Sequence, residues 1–176
     1  VVDQLCTGVQ GLLKGNGVEV LAGSAVLEGS GRVRVGETLH EARNILLAVG
    51  ARPALPPIPG LDLPGVLTSD DLLTGEAFYP RLTIIGGGVI GMEFASLYSA
   101  LGAEVTVLEA AERILPSLDK ELSQSLGMFL KKRGVKLCPR AAVGRVERTE
   151  GGLRCSYTLK GRQEVVVSDA VLAATG

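Results

Sequence analysis

The sequence predicts an α/β protein, a parallel sheet with a small antiparallel β excursion attached. Three observations carry that prediction. Leu82-Thr83-Ile84-Ile85 is a short apolar run rich in β-branched residues, the pattern of a buried strand. It runs into a glycine triplet at Gly86, Gly88 and Gly91. After the triplet, Val89, Met92, Leu97 and Leu101 recur at helical spacing, and a second apolar run, Glu104-Val105-Thr106-Val107-Leu108, follows. Further on, three short segments of strand composition are separated by glycine turns, the signature of an antiparallel meander.

In chain order, residues 1–16 read as a helix with Leu5, Val9, Leu12 and Leu13 on one face, ended by Gly15-Asn16-Gly17. Short strands are expected at 18–21, 25–27 and 32–35, and a buried strand at 44–49. The single histidine, His40, falls in the polar connection before that last strand and reads as a solvated loop residue. The proline-rich run 52–60 cannot continue a sheet, because proline offers no N–H to a ladder. Ser69-Asp70-Asp71-Leu72-Leu73 can cap one short helical turn. The strand at 82–85 and its helix come next, with Gly102 as the stop. A loop over 110–116 leads to a second amphipathic helix over 119–133, where Leu122, Leu126, Phe129 and Leu130 form a core-facing stripe. A third strand is expected at 135–137, the antiparallel excursion at 143–149, 153–159 and 163–167, and a return strand at 170–173.

Strand, glycine triplet, helix, second strand and an acid at its end make the full dinucleotide-binding fingerprint of a Rossmann-like fold, of FAD/NAD(P)-binding type. Each residue type has its reason. Gly86 permits the tight strand-to-helix turn, Gly88 lets the backbone approach a pyrophosphate, and Gly91 lets the helix pack closely on the strand. The helix beginning near Val89 directs unpaired N–H groups and the positive end of its dipole at the phosphates. Glu109, at the carboxyl end of the second strand, can accept hydrogen bonds from both ribose hydroxyls. A 2′-phosphate there would meet a carboxylate, so NAD is favoured over NADP, and Glu109→Arg is expected to narrow or invert that preference.

The 176 residues accommodate one ordinary domain or two small ones, and 46% hydrophobic content suffices for a packed core. A net charge of −1 and 3% aromatic content give no support to nucleic-acid binding. The densest basic run, Lys131-Lys132-Arg133, sits at a helix end where cations complement the dipole. No apolar run approaches a membrane span, and no signal peptide is visible, although the chain opens on Val1 without a methionine. Cys6, Cys138 and Cys155 are scattered, forming neither a redox pair nor a metal cluster; they suit a reducing cytoplasm and ordinary half-buried thiols. No acid–base or nucleophile constellation appears, so no catalytic residue and no metal ligand is assigned.

The two ends of the chain resemble each other. Leu13-Lys14-Gly15-Asn16-Gly17-Val18-Glu19-Val20 matches Leu130-Lys131-Lys132-Arg133-Gly134-Val135-Lys136-Leu137, and Ala25-Val26 matches Ala142-Val143 at the same offset, 134 − 17 = 142 − 25 = 117. Both copies then run through turn-linked strands to an apolar strand, Leu46-Leu47-Ala48-Val49-Gly50 and Leu172-Ala173-Ala174-Thr175-Gly176. Only the second copy carries a nucleotide fingerprint. The first lobe's glycine loop and redox machinery are therefore expected before Val1, and the chain reads as an internal piece of a longer enzyme.

At this point the chain resembles the pyridine nucleotide–disulfide oxidoreductase family, most closely its dihydrolipoamide dehydrogenase branch. The matching residues are Ala48-Val49-Gly50-Ala51-Arg52-Pro53 with Pro59-Gly60, then Gly86-Gly87-Gly88-Val89-Ile90-Gly91-Met92-Glu93. Beyond them come Leu101-Gly102-Ala103-Glu104-Val105-Thr106-Val107-Leu108-Glu109, Arg113-Ile114-Leu115-Pro116 and the closing Ala174-Thr175-Gly176. The resemblance implies that residues 1–75 end an FAD-binding lobe and 76–176 form an NAD-binding lobe. It implies that the backbone at Val49, Gly50 and Ala51 runs near FAD, where the family usually shows Ala-Thr-Gly-Ser. Glu93 matches the glutamate on the nicotinamide side of NAD, and Val143 and Gly176 match backbone positions around the dinucleotide. It further implies a redox cysteine pair before this segment, a His–Glu acid–base pair after it, a homodimer, and possible membership of a 2-oxo acid dehydrogenase complex. Other flavoproteins of the family (mercuric reductase, transhydrogenase, NADH oxidase) share this lobe, and a non-catalytic NADH-binding module is the reading from a different class.

Overall fold

A computed structural model describes residues 2–175, which fall into two compact units that meet in sequence at Gly50 and Ala51. The first holds helix α1 (Val2–Gly15) and strands β1 (Ala25–Leu27), β2 (Arg32–Val35) and β3 (Thr38–Glu41). The strands form an antiparallel sheet in the order β1-β2-β3. Two ion pairs brace it: Arg34 grips Glu28 through two nitrogens at 2.5 and 2.8 Å, and Arg32 reaches Glu41 at 3.2 Å across β2 and β3.

Several expectations for this unit fail. Residues 18–21 and 44–49 form no strand. A strand exists by its ladder, and among the described residues neither segment has a neighbour to pair with. Leu46 and Val49 are accordingly 90% and 89% exposed. His40 is not in a loop; it is half-buried in β3 opposite Val33. The polar sequence of β3 hid it, because an edge strand of a small hairpin needs no apolar alternation. The stripe on α1 buries nothing: Leu5, Val9 and Leu12 are all more than half exposed.

The second unit is built on a fully parallel five-stranded sheet, ordered β4-β11-β5-β6-β7. Its strands are β4 (Val66–Leu67), β5 (Arg81–Ile85), β6 (Glu104–Glu109), β7 (Lys136–Pro139) and β11 (Ala170–Ala173). Helices α2 (Ser69–Thr74), α3 (Val89–Ala100) and α4 (Lys120–Lys132) connect them. Strands β8 (Ala141–Thr149), β9 (Gly152–Leu159) and β10 (Arg162–Ser168) form the antiparallel excursion, in the order β10-β9-β8. The fold class read from the sequence is the one observed. α2 is capped as its residues suggest: the Thr68 hydroxyl accepts from the Asp71 N–H, and the Asp71 carboxylate accepts from the Thr68 N–H at 2.7 Å, a reciprocal box. The two-residue strand β4 escaped the sequence reading, being too short to show a period.

Alternation along the parallel strands divides the core between two faces. Leu82, Ile84, Val105, Val107 and Leu172 pack with Met92, Phe94, Ala95 and Tyr98 of α3 and Leu130 of α4. Ile85, Leu108 and Val171 face the other way, onto Val146, Leu153, Cys155 and Tyr157 of the antiparallel sheet. Both helices turn a narrower face inward than their apolar spacing suggests. On α4, Leu130 is fully buried and Leu126 partly so, whereas Leu122 and Phe129 are 56% and 47% exposed. Arg133 lies 4.5 Å over the Phe129 ring, so part of that exposed ring is covered by a cation. On α3, Val89, Leu97 and Leu101 stay exposed, while Phe94, Ala95 and Tyr98 supply the contact. The thiols of Cys138 and Cys155 are buried rather than half-buried, Cys6 is exposed, and burial pushes the Cys155 thiol up to about 12. Asp169 joins the start of β11 to the start of β5: its carboxylate accepts from the Arg81 N–H at 2.9 Å and from the guanidinium at 2.5 Å.

Candidate functional site

The carboxyl ends of β5, β6 and β11 open into a cavity of about 600 Å3, within the range of small-molecule sites. Ile85, Gly86, Gly88, Val89 and Ile90 line it from the β5–α3 turn. Leu108, Glu109 and Ala110 close it on the β6 side, and Val143 and Ala174 elsewhere. Parallel strands with helices on one face place their carboxyl ends together, which is why ligands of such sheets collect there.

The glycines differ in what holds them. Gly86 has φ +112°, and a Cβ on it would sit 2.2 Å from the carbonyl oxygen of Ala174, just past the end of β11. A Cβ on Gly91 would sit 2.1 Å from the Gly86 carbonyl oxygen, so the first turn of α3 could not rest on β5. Both are excluded by protein packing. Gly88 is different: a Cβ there would meet nothing within 4 Å, and its φ of −73° suits any residue. No protein atom requires a glycine at that position. Open space lies beside it, at the cap of α3, a helix with no side-chain cap and no acid in its first turn. A phosphate group fits that setting, since it would occupy the space and satisfy the free N–H groups.

Glu109 is half-buried and already engaged. One carboxylate oxygen accepts from the Gly87 N–H, and the other accepts from the Ala111 N–H at 2.6 Å. The Gly87 carbonyl in turn accepts from the Leu115 N–H at 2.7 Å, so this residue is held through both its N–H and its carbonyl. A carboxylate has about four acceptor positions, so two of them remain open to further donors. The sequence showed the acid but not its second task of pinning the glycine loop, since contacts to backbone N–H groups leave no residue pattern.

Of the residues assigned to cofactor binding, Gly86, Gly88, Val89, Ile90, Glu109 and Val143 share this cavity. Gly87 and Gly91 support it from behind. Met92 is 3% exposed and packed in the core on the helix face of the sheet, and Glu93 is exposed on α3; neither lines the cavity. Val49 and Gly50 belong to the first unit and Ala51 to the second, while Gly176 lies outside the described residues. Among the described residues no group of three or more His, Cys, Asp or Glu is placed to hold a metal, and no helix is long and apolar enough to cross a membrane.

Known proteins resemble this chain in sequence and in fold. The dihydrolipoyl dehydrogenase of Mycoplasma genitalium is 34% identical over the whole chain, which covers 38% of that protein. The glutathione reductase of Burkholderia cepacia is 41% identical over 95% of the chain and 36% of its own length. The HOCl-induced flavoprotein disulfide reductase RclA from Escherichia coli superposes with a TM-score of 0.76 at 33% identity, covering 90% of this chain and 36% of that one. The chain thus spans a little over a third of the length of these relatives. The family described as pyridine nucleotide-disulphide oxidoreductase matches residues 1–176, and this chain belongs to it.

Proposed function

We propose that the chain is the NAD-binding segment of an FAD-dependent disulfide oxidoreductase, of the dihydrolipoamide dehydrogenase kind. In that reading it passes electrons between NAD, FAD and a redox disulfide outside the segment. The observation that carries the reading is the open space at Gly88, at the amino end of α3 and beside Glu109. Gly86, Gly87, Gly88 and the first turn of α3 hold the pyrophosphate. The free acceptor positions of Glu109 take the ribose hydroxyls, and Val143 borders the adenosine. Glu93, exposed on α3, lies toward the nicotinamide. When bound, the flavin supplies the hydride chemistry, and the present residues bind and orient the nucleotide that exchanges electrons with it. Residues 1–75 end the FAD lobe and 76–176 form the NAD lobe; of the former, 51–75 pack with the latter, since β4 pairs with β11. A homodimer in the cytoplasm, able to serve a 2-oxo acid dehydrogenase complex, completes the reading.

Titration calorimetry tests it. NADH is expected to bind at least about tenfold more tightly than NADPH, because Glu109 repels a 2′-phosphate. Gly88→Val, whose Cβ would meet no protein atom within 4 Å, should abolish NADH binding with a much smaller loss of stability. Retained affinity in that variant would place the phosphates elsewhere. Glu109→Arg should weaken both nucleotides rather than simply invert the preference, because it also removes the acceptor of the Gly87 and Ala111 N–H groups.

A further inference from the structure

The cavity has one wall to which the nucleotide reading gives no role. Pro56 and Ile58 line it, and both belong to the connection that opens the second unit after Gly50. Prolines at 56, 57 and 59 fix φ along this stretch, so little freedom is lost in holding it still. The Ile58 N–H donates to the Pro56 carbonyl at 2.7 Å, closing a three-residue turn over Pro57.

Strand β8 pins the connection in place. The Val146 N–H donates to the Pro59 carbonyl at 2.9 Å, and the Arg148 guanidinium donates to the Pro64 carbonyl. Gly60, at φ +89°, lies so close that a Cβ on it would sit 1.9 Å from the Val146 carbonyl oxygen. Leu61 is buried, and Ile58 packs on the same cluster as Val143 and Val146. Residues three apart on a regular strand point to opposite faces. The register shift between Val143 and Arg145 leaves Gly144 as an extra residue without a partner, which brings Val143 and Val146 to one face. Val143 thereby joins the wall, and Val146 holds the segment that supplies the rest of it.

The order of the strands tells which part of a dinucleotide meets this wall. Their carboxyl ends follow one another as β11, β5, β6 and β7, about 4.8 Å apart. A pyrophosphate at the β5–α3 turn and a ribose at Glu109 on β6 set a direction. The next step along it reaches Ala141, Ala142 and Val143, just past β7. Beyond that ribose comes the base. Pro56, Ile58 and Val143 offer apolar faces and no charge, which suits the flat ring of a purine. We propose that the connecting segment is a working part of the site, with Pro56 and Ile58 holding the purine ring against Val143. The inference rests on the nucleotide site proposed above.

Titration calorimetry on the 176-residue chain compares NADH with ADP-ribose, which keeps the purine and lacks the nicotinamide. Ile58→Ala should weaken both alike, by about fivefold to thirtyfold, whereas Ile58→Leu should stay within about threefold of the wild type. A loss for NADH alone would move the wall to the nicotinamide end and overturn the inference. No loss for either ligand would also overturn it, while leaving the site standing. Methyl NMR on the wild type separates contact from a loosened fold. The Ile58 δ-methyl, identified by its absence in Ile58→Val, should shift upfield under the purine ring when ADP-ribose binds, and stay in place with ribose 5-phosphate. An equal shift with ribose 5-phosphate, or none at saturating ADP-ribose, would overturn the proposal whatever the variants do. If the wild type binds neither NADH nor ADP-ribose, the proposed site fails and the inference falls with it.

Discussion

The stretch 2–50 and the stretch 120–175 follow the same plan: a helix, a three-stranded antiparallel meander and an apolar terminal segment. They reach different structures. In the later stretch α4 buries Leu130, a strand forms at 136–139, and Val171 and Leu172 of β11 are inaccessible. In the earlier one α1 buries no residue, 18–21 is not a strand, and Leu46, Leu47 and Val49 stand exposed. The meander forms in both. An antiparallel meander supplies its own partners within a few residues, whereas a parallel strand needs one delivered from elsewhere in the chain. β7 and β11 have β6 and β5 beside them. The corresponding segments of the first stretch have no such neighbour among the described residues.

Hydrogen exchange on the 176-residue chain gives the largest expected contrast. Amides at 44–50 should exchange close to the unprotected rate, and those of β11 more slowly by on the order of a thousandfold or greater. Protection of 44–49 equal to that of β11 would show that the first segment completes a sheet, and the comparison would break.

A paired glycine substitution reads the same contrast in stability. Gly91→Val drives a side chain into the Gly86 carbonyl and should cost about 3 kcal/mol or more in denaturant unfolding of the second unit. Gly8→Ala, on α1 with nothing within 4 Å, should instead add about 0.5–1 kcal/mol of helix stability. A destabilised Gly8→Ala would mean that α1 packs on something.

Each unit also holds a carboxylate with a lowered pKa. Arg81 holds Asp169 below 3.8, chiefly through the guanidinium hydrogen bonds, and Arg34 likewise holds Glu28 below 4.5. A carboxylate depressed by folding contributes fully above its unfolded value, and that contribution is lost as pH falls through the folded one. Asp169 joins β5 and β11 at the sheet centre and Glu28 braces a surface hairpin. Asp169→Asn should therefore lower Tm at pH 7 by a few degrees and blunt the loss of stability below about pH 4. Glu28→Gln should change Tm less, and the difference should shrink in high salt. Equal effects would show that place in the sheet does not matter to these pairs.

The smallest effect is expected at Thr83, on the central strand β5. It is fully buried, and its hydroxyl has no hydrogen-bond partner among the described residues. Thr83→Val keeps the shape and removes an orphaned polar atom, so stability should stay the same or rise by about 1 kcal/mol. A loss of that size would reveal a partner for the hydroxyl, such as a buried water.

Sequence alone determined the parts whose signals are local. The fingerprint from Leu82 to Glu109 fixed a strand, a turn, a helix and an acid in order, because each glycine answers to backbone geometry within a few residues. The antiparallel excursion was legible for the same reason, with its turns marked by Gly151-Gly152 and Gly161. What required the tertiary structure was everything that depends on a distant neighbour. Leu122 and Phe129 share apolar character with Leu130, yet only Leu130 is fully buried, since the inward face of α4 is set by its packing on β7. The segment 44–49 has the composition of a buried strand and, among the described residues, no strand beside it. Glu109 was visible as an acid at the end of its strand, but its grip on Gly87 and Ala111 was not, and neither was the pairing of Arg140 with Glu112 across 28 residues. A residue's type sets the contacts it can make, and the fold decides which partners come within reach.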